Sequence, residues 1–271
     1  MTMDDLPRVD VFIPVFNGMQ FLPLAVESAL AQRDVDVQVV VSDNCSTDGT
    51  WEWLREQQAN DPRLRIFQNE SNLGLINNFN RFVDYIEAPH YMVLCADDML
   101  ARPNALALAS RVMDRDADIV SVYCDMTYID RHGATVANRK LRPTGAFDAA
   151  RTLRRSIVTR RNHFGIPLLH RFETLKHLPY RQDGSYSGDL VQSALAAREG
   201  LVYHIGEPLI ANRYTGGNVT ASVLADARRQ FDDLTGELGI ELSPTERLEQ
   251  RLRAWPTDLA KRLFLWRMSK R

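Results

Sequence analysis

Two adjacent carboxylates, Asp97 and Asp98, follow an apolar run at Tyr91 to Cys95. Side by side they repel one another, and a bound divalent cation would relieve that repulsion. Magnesium-like ions take one or two protein carboxylates and complete their shell with substrate phosphates and water. The chemistry open to this pair is therefore to hold Mg²⁺ or Mn²⁺ against a nucleotide diphosphate. A solvated Asp-Asp turn or a helix-capping pair is the other reading of the same residues. Two more polar segments follow apolar runs, Pro14-Val15-Phe16-Asn17-Gly18 and Asp43-Asn44. Asp43 could accept a hydrogen bond from a base or a ribose, or serve as an ordinary turn carboxylate.

A parallel sheet would bring these segments together, because its strands end at one edge and ligands bind beyond their carboxyl ends. Runs rich in β-formers lie at Val9 to Pro14, Val35 to Ser42, Arg63 to Gln68, Tyr91 to Cys95 and Asp118 to Tyr123. Helical patterns alternate with them at Met19 to Gln32, Thr50 to Ala59, Leu75 to Glu87 and Asn104 to Arg115. That alternation predicts an α/β fold on a mostly parallel central sheet. Ser46-Thr47-Asp48 suits the N-terminal cap of the second helix, and Pro103 suits a first helical turn. Arg131 to Gly145 reads as a long loop, and helical pattern returns at Ala149 and at Gly188 to Glu199. A short strand is expected at Leu201 to Ile205, with Gly206-Glu207-Pro208 as a turn. Beyond Thr220 the chain reads as helical, broken at Pro244 and Pro256. The expected division is one domain over residues 1–220 and a helical C-terminal extension over 221–271.

The motifs are Pro14-Val15-Phe16-Asn17-Gly18, Ser28-Ala29-Leu30-Ala31-Gln32, Val41-Ser42-Asp43-Asn44-Cys45-Ser46-Thr47-Asp48-Gly49-Thr50, Asn72-Leu73-Gly74 with Asn80, and Leu94-Cys95-Ala96-Asp97-Asp98. In this order and spacing the chain resembles the GT-A fold family 2 glycosyltransferases. The resemblance implies a Rossmann-like GT-A nucleotide-diphospho-sugar transferase fold, with residues 1–125 as the nucleotide-sugar-binding half and 126–220 as the acceptor-binding half. It implies a metal-dependent, inverting transfer of a sugar to a hydroxyl of a saccharide or lipid-linked acceptor, in the synthesis of cell-surface polysaccharide or glycoconjugate. Donor contacts then fall to Pro14, Phe16, Asn17, Asp43, Asn72, Gly74, Asn80, Ala96, Asp97, Asp98 and Arg213. Asp97 and Asp98 would hold the cation. Gly188-Asp189-Leu190 resembles the family's acidic position at the start of a helix, which makes Asp189 the general base for the attacking hydroxyl. An ordinary helix cap or exposed acid is the other reading of Asp189.

Two positions depart from the family pattern. Cys95 stands where members often carry Asp, and Thr215 stands where a His is common, within Arg213-Tyr214-Thr215-Gly216-Gly217-Asn218. Both leave Asp97 with fewer protein partners on a cation, and they keep open a second reading as a catalytically inactive nucleotide-sugar-binding protein. A sugar nucleotidyltransferase would need a glycine-rich basic loop after the first strand, whereas Val15 to Met19 holds one Gly and neither Lys nor Arg.

Composition limits the remaining classes. Of 271 residues, 33 are Lys or Arg and 35 Asp or Glu, so no basic surplus points to nucleic acid. Cys45, Cys95 and Cys124 cannot all pair and lack zinc-ligand spacing, which suits a reducing compartment. Asp4 and Asp5 sit where a signal peptide would be basic, and no apolar run approaches the length of a membrane span. The expectation is a cytoplasmic, non-spanning chain. His163, His170 and His177 lack metal-ligand spacing and are expected to pack partly exposed, or else one of them to bind acceptor. Two basic regions stand apart, Arg139 to Arg161 and Lys261 to Arg271. In the second, Leu263, Phe264, Leu265, Trp266 and Met268 interleave with the charges. That pattern suits a helix lying peripherally on the inner face of a membrane, or else a solvated face or a dimer contact.

Overall fold

A computed structural model describes residues 6–180, 188–214, 235–236 and 238–253. Strand β1 (Arg8–Val15) is buried at every position after Arg8, as a strand covered on both faces requires. It is followed by α1 (Leu22–Leu30), β2 (Asp36–Asp43), α2 (Thr50–Asn60), β3 (Leu64–Gln68), α3 (Leu75–Phe79), α4 (Phe82–Tyr85) and β4 (His90–Val93). Strands β3, β2, β1 and β4 lie in that order and run parallel. Val9, Val11 and Ile13 pack on one face against Leu22, Ala25 and Ala29 of α1. Phe12, Val40 and Tyr91 pack on the other against Phe82.

The chain continues through β5 (Met99–Leu100), α5 (Ala105–Arg115), β6 (Ile119–Ile129), β7 (Thr135–Arg139), β8 (Gly145–Ala146) and α6 (Ala149–Thr159). It then forms β9 (Ile166–Arg171), α7 (Phe172–Leu175), α8 (Gly188–Glu199) and β10 (Leu201–Arg213). Beyond β4 the sheet proceeds β9-β6-β10-β5. β10 is parallel to β6, but β9 is antiparallel to both β4 and β6. The ten-stranded sheet is thus parallel in its first half and mixed in its second. Among the described residues no helix is long and apolar enough to cross a membrane.

Several expected elements change. The Leu75 to Glu87 helix is two short ones, α3 and α4, separated at Asn80 and Arg81. The Arg131 to Gly145 loop holds β7, which returns along the far end of β6. Asp130 closes that hairpin, its Oδ1 accepting from the His132 and Ala134 amides at 2.9 and 3.0 Å, while Gly133 takes a φ of 84°. β10 passes straight through Gly206-Glu207-Pro208, its register against β6 shifting between Ile205 and Ile210. A bulge accommodates residues that read as a turn in sequence. Pro244 begins a helix over residues 244–253 rather than breaking one. Ser243 and Glu246 cap it reciprocally: the Ser243 amide donates to Glu246 Oε2 at 2.8 Å and the Glu246 amide to Ser243 Oγ at 3.3 Å. Asp4, Asp5, Pro256 and the basic tail lie outside the described residues.

The histidines that were expected to pack include two held neutral. His170 is buried with Nδ1 2.8 Å from Ser121 Oγ, and desolvation drives its pKa down to about 4. His163 is likewise pushed down to about 4, by burial and by Arg139, Arg155, Arg142 and Arg161. Unfolded, both return to about 6.5. Below that pH the unfolded chain binds the extra protons. Their contribution to stability is therefore complete above pH 6.5 and falls toward pH 4, by up to ~1.4 kcal/mol per pH unit for each ring. Asp98, whose pKa is raised, acts in the opposite sense, so the reading is a difference between proteins. We expect His170→Gln to flatten the loss of urea midpoint between about pH 6.5 and 4.5 relative to the parent. Proton resonances of the His170 ring titrating near their unfolded value in the folded parent would contradict this.

Candidate active site

The carboxyl ends of β1, β2 and β3 are knitted together by side-chain amides. Asn44 follows β2, and its amide N–H donates to Val15 O at 2.8 Å. The Asn44 Oδ1 accepts from Asn69 Nδ2 at 3.0 Å and from the Leu73 amide at 2.9 Å, while its Nδ2 donates to Asn72 Oδ1 at 2.8 Å. Asn72 Oδ1 also accepts from the Gly74 amide, and Gly74 takes a φ of 81°. Beneath them buried Asn78 donates to Ser42 O and accepts from Ser42 Oγ and Asn69 Nδ2. Satisfied in this way, the buried amides fix the floor of a cleft.

Asp43, at the end of β2, is fully buried. Its Oδ2 accepts from Gln68 Nε2 at 2.9 Å and the Ser46 amide at 3.2 Å, but its Oδ1 is buried with no partner among the described residues. A buried acceptor without a donor is costly, and it fits the N–H or hydroxyl of a ligand. Asn17 has a left-handed φ of 50° and joins the β1 loop to the β2 loop, its Oδ1 accepting from the Thr47 amide at 2.8 Å and its own amide donating to Ser46 Oγ. Gly18 donates to Thr50 Oγ1 at 3.0 Å and has no room for a Cβ, which would collide with Val15. Gly49, with a φ of 89°, takes the N-cap position of α2, and Asp48 instead accepts from the Thr50 amide and the Met19 amide. Pro14 is buried within β1 opposite Ser42, and Phe16 is 49% exposed at the rim.

Ala96, which begins the acidic loop, sits beside Gly18, so the third segment reaches the same edge. Cys95 Sγ and one oxygen each of Asp97 and Asp98 lie within 4.8 Å of one another, a sulfur and carboxylate set able to hold a divalent cation. Asp98 Oδ1 accepts from the Arg213 amide at 2.7 Å and Oδ2 from Asn212 Nδ2 at 2.8 Å. Burial, and then the neighbouring Asp97, hold its pKa far above the ordinary carboxylate range. A cation would relieve that strain on the charged form.

Arg213, expected at the donor, has a structural role among the described residues. Its side chain is only 4% exposed, with Nε donating to Asp97 O at 3.0 Å and Nη1 to Asp130 O at 3.0 Å, and the guanidinium lies 4.7 Å from the Phe21 ring centroid. It fixes the acidic loop against the end of β10. Ser28 of α1 and Gln32 just beyond its end do the same from the other side. Ser28 Oγ accepts from the Leu100 amide at 3.0 Å, and Gln32 donates to Arg102 O and accepts from the Leu106 amide. Asn69, Asn78, Gln68 and Asn212 were not singled out in sequence; nothing in their local spacing marks them. Asp189 lies on the first turn of α8, and its side chain, like Thr215 to Asn218, is outside the described residues.

Asn80, expected at the donor, pairs with the backbone of Tyr180. Its Nδ2 donates to Tyr180 O and its Oδ1 accepts from Tyr180 N, both at 2.7 Å. Replacing Asn80 by Ala should lower stability by about 1–3 kcal/mol through two lost bonds, with nucleotide-sugar affinity unchanged within about twofold. Denaturant unfolding and donor titration of the same variant check this, since a large loss of donor affinity without loss of stability would restore the donor contact.

The sequence matches the model of Glycosyl transferase family 2 over residues 10–172. Chondroitin synthase of Escherichia coli is 34% identical over 137 residues, which are 51% of this chain and 20% of that protein. This chain therefore spans about a fifth of that relative. Among solved structures, S. aureus TarS 1–349 in complex with UDP-GlcNAc superposes with a TM-score of 0.69 at 19% identity, covering 91% of this chain and 70% of that one. The mannosyltransferase PcManGT of Pyrobaculum calidifontis, in complex with GDP-Man and Mn²⁺, gives 0.57 at 17% identity, covering 99% and 84%. The mixed sheet is that of GT-A transferases, and with more than half its length matched by the family model, the chain belongs to glycosyl transferase family 2.

Proposed function

We propose that the chain moves a sugar from a nucleotide-diphosphate sugar to a hydroxyl of a saccharide or lipid-linked acceptor. One observation carries this reading: a buried, unpartnered Asp43 oxygen and the Cys95, Asp97 and Asp98 cluster reach the same sheet edge. Asp43 accepts from the base or ribose. Residues 1–125 hold the donor, 126–220 the acceptor, and 221–271 form an extension whose basic tail makes a peripheral membrane contact. Asp97 and Asp98, with Cys95 beside them, hold Mg²⁺ or Mn²⁺, which when bound offsets the charge of the departing diphosphate. Asp189 takes the proton of the acceptor hydroxyl as that oxygen attacks the anomeric carbon from the face opposite the nucleotide, which inverts the configuration.

The test is release of free nucleoside diphosphate from UDP-, dTDP- and GDP-sugars, with and without Mn²⁺ and with a saccharide acceptor. Turnover of at least one donor that requires the cation supports the reading. Donor binding without any turnover across the panel would replace it with a nucleotide-sugar-binding protein, the alternative that Cys95 and Thr215 raise.

A further inference from the structure

The basic region from Arg139 to Arg161 has no part in the donor edge. It borders a cavity of about 590 Å³ between α6 and the 244–253 helix, within the size range of small-molecule sites. Arg151, Arg154 and Arg155 line it from α6, Arg142 from the segment after β7, and Glu246 and Glu249 from the facing helix. Two guanidiniums are matched: Arg154 Nε lies 2.5 Å from Glu246 Oε1 and Arg155 Nη1 2.9 Å from Glu249 Oε1. Arg142 and Arg151 have no carboxylate at ion-pair distance among the described residues.

Arg142 is held by neutral groups alone. It donates to the His163 carbonyl and to Thr152 Oγ1 at 3.2 Å, and its guanidinium lies 3.8 Å from the Phe147 ring centroid. Its Nε is buried with no hydrogen-bond partner. Burial lowers its pKa, and the positive field of this region contributes to the low value at His163. Asp125 opposes the lowering at Arg142 from a distance, but a part-buried guanidinium with no carboxylate in direct contact still favours an anion that joins it. Its planar fork matches a carboxylate or a phosphate in two parallel hydrogen bonds.

We propose that this cavity binds an anionic saccharide, with a carboxylate or phosphate of that chain held between Arg142 and Arg151. As an acceptor site it rests on the transferase reading above and deepens it. α6 and α8 share one apolar cluster, Ile157 and Val158 of the first packing with Leu190 and Val191 of the second. The cavity therefore belongs to the layer whose other helix carries Asp189. An acceptor longer than one sugar would be gripped here by its charge while its end is extended at the donor edge.

Calorimetric titration of the full chain, without donor or metal, tests this with three probes of equal length. These are a hexuronate-containing oligosaccharide, a phosphodiester-linked polyol oligomer and an uncharged oligosaccharide. We expect at least one anionic probe to bind, weakening with salt, and the uncharged probe to bind at least about tenfold more weakly. The anionic probe that binds more tightly identifies whether carboxylate or phosphate is the natural group. Arg151→Gln should weaken that binding about tenfold, and Glu249→Gln, which releases Arg155, should tighten it. Arg151 is exposed and makes no ion pair among the described residues, so its replacement should leave the fold intact. Equal binding of the uncharged probe, no binding of either anion, or indifference to both substitutions would overturn the proposal. Nucleotide-sugar titration is read separately: loss of donor binding and turnover with these responses intact would remove the transferase reading and leave the anionic site standing.

Discussion

Asp97→Ala should leave a folded protein in which sugar transfer has fallen by about a thousandfold or more. Stabilising the leaving diphosphate through a bound cation is worth several kcal/mol, and each ~1.4 kcal/mol is tenfold in rate. Asp97 offers a carboxylate to the Cys95, Asp97 and Asp98 cluster, while the hydrogen bonds that pin the loop run to the Asp97 carbonyl and to Asp98. Removing the side chain of Asp97 leaves those bonds in place. Asp98→Ala makes the contrast, since it cuts the bonds to Asn212 and the Arg213 amide and should lower stability as well as rate. Manganese affinity in the presence of the nucleoside diphosphate, followed by electron paramagnetic resonance, should fall with Asp97→Ala. Transfer near the parent rate in that variant would remove the cation from the reaction.

The second large effect belongs to Asp189→Asn. A positioned general base contributes about 10²- to 10⁴-fold, and the amide cannot accept the acceptor's proton at the cost of its own neutrality. The expected result is a loss of that size in kcat, with donor affinity unchanged within about twofold, because the donor groups we propose lie at the ends of β1, β2 and β4 rather than on α8. Steady-state kinetics with a saturating acceptor, beside donor calorimetry, separate the two quantities. An equal loss in donor affinity would mean that Asp189 holds the donor instead. A rate unchanged from the parent would return Asp189 to an ordinary helix terminus.

The shared edge of Asn17, Asp43 and the Asp97 loop was legible in sequence because these groups sit immediately after strands whose apolar runs are unmistakable. Once β1, β2 and β4 are parallel, Asn17, Asp43 and the loop of Asp97 follow to one rim. Ser28 and Gln32 were visible as a motif but not as supports, since only the folded chain brings the Leu100, Arg102 and Leu106 backbone to them. Arg213 was visible as a charge. Its actual use needs the carbonyls of Asp97 and Asp130, 116 and 83 residues away in sequence, to converge on one guanidinium.

The second half of the chain hid its strands for reasons of pattern. β7 reads as loop because its residues are mostly part-exposed and lack an apolar run, and β9 because Pro167 interrupts it. β10 tolerates Gly206 and Pro208 at a register shift, a tertiary solution to a local break. In the same way Asn80 ends α3 rather than continuing a longer helix, its amide paired with a peptide 100 residues on.

The floor built by Asn44, Asn69, Asn72 and Asn78 carries no net charge. Amides neither titrate nor attract counterions, so that surface keeps one shape from mild acid to mild alkali and from dilute buffer to brine. Asn44 and Asn78 are each committed at both oxygen and nitrogen, which leaves little latitude for drift at these two positions. Divergence in what such an enzyme accepts would accumulate in the surrounding walls, while the floor stays as an inherited template.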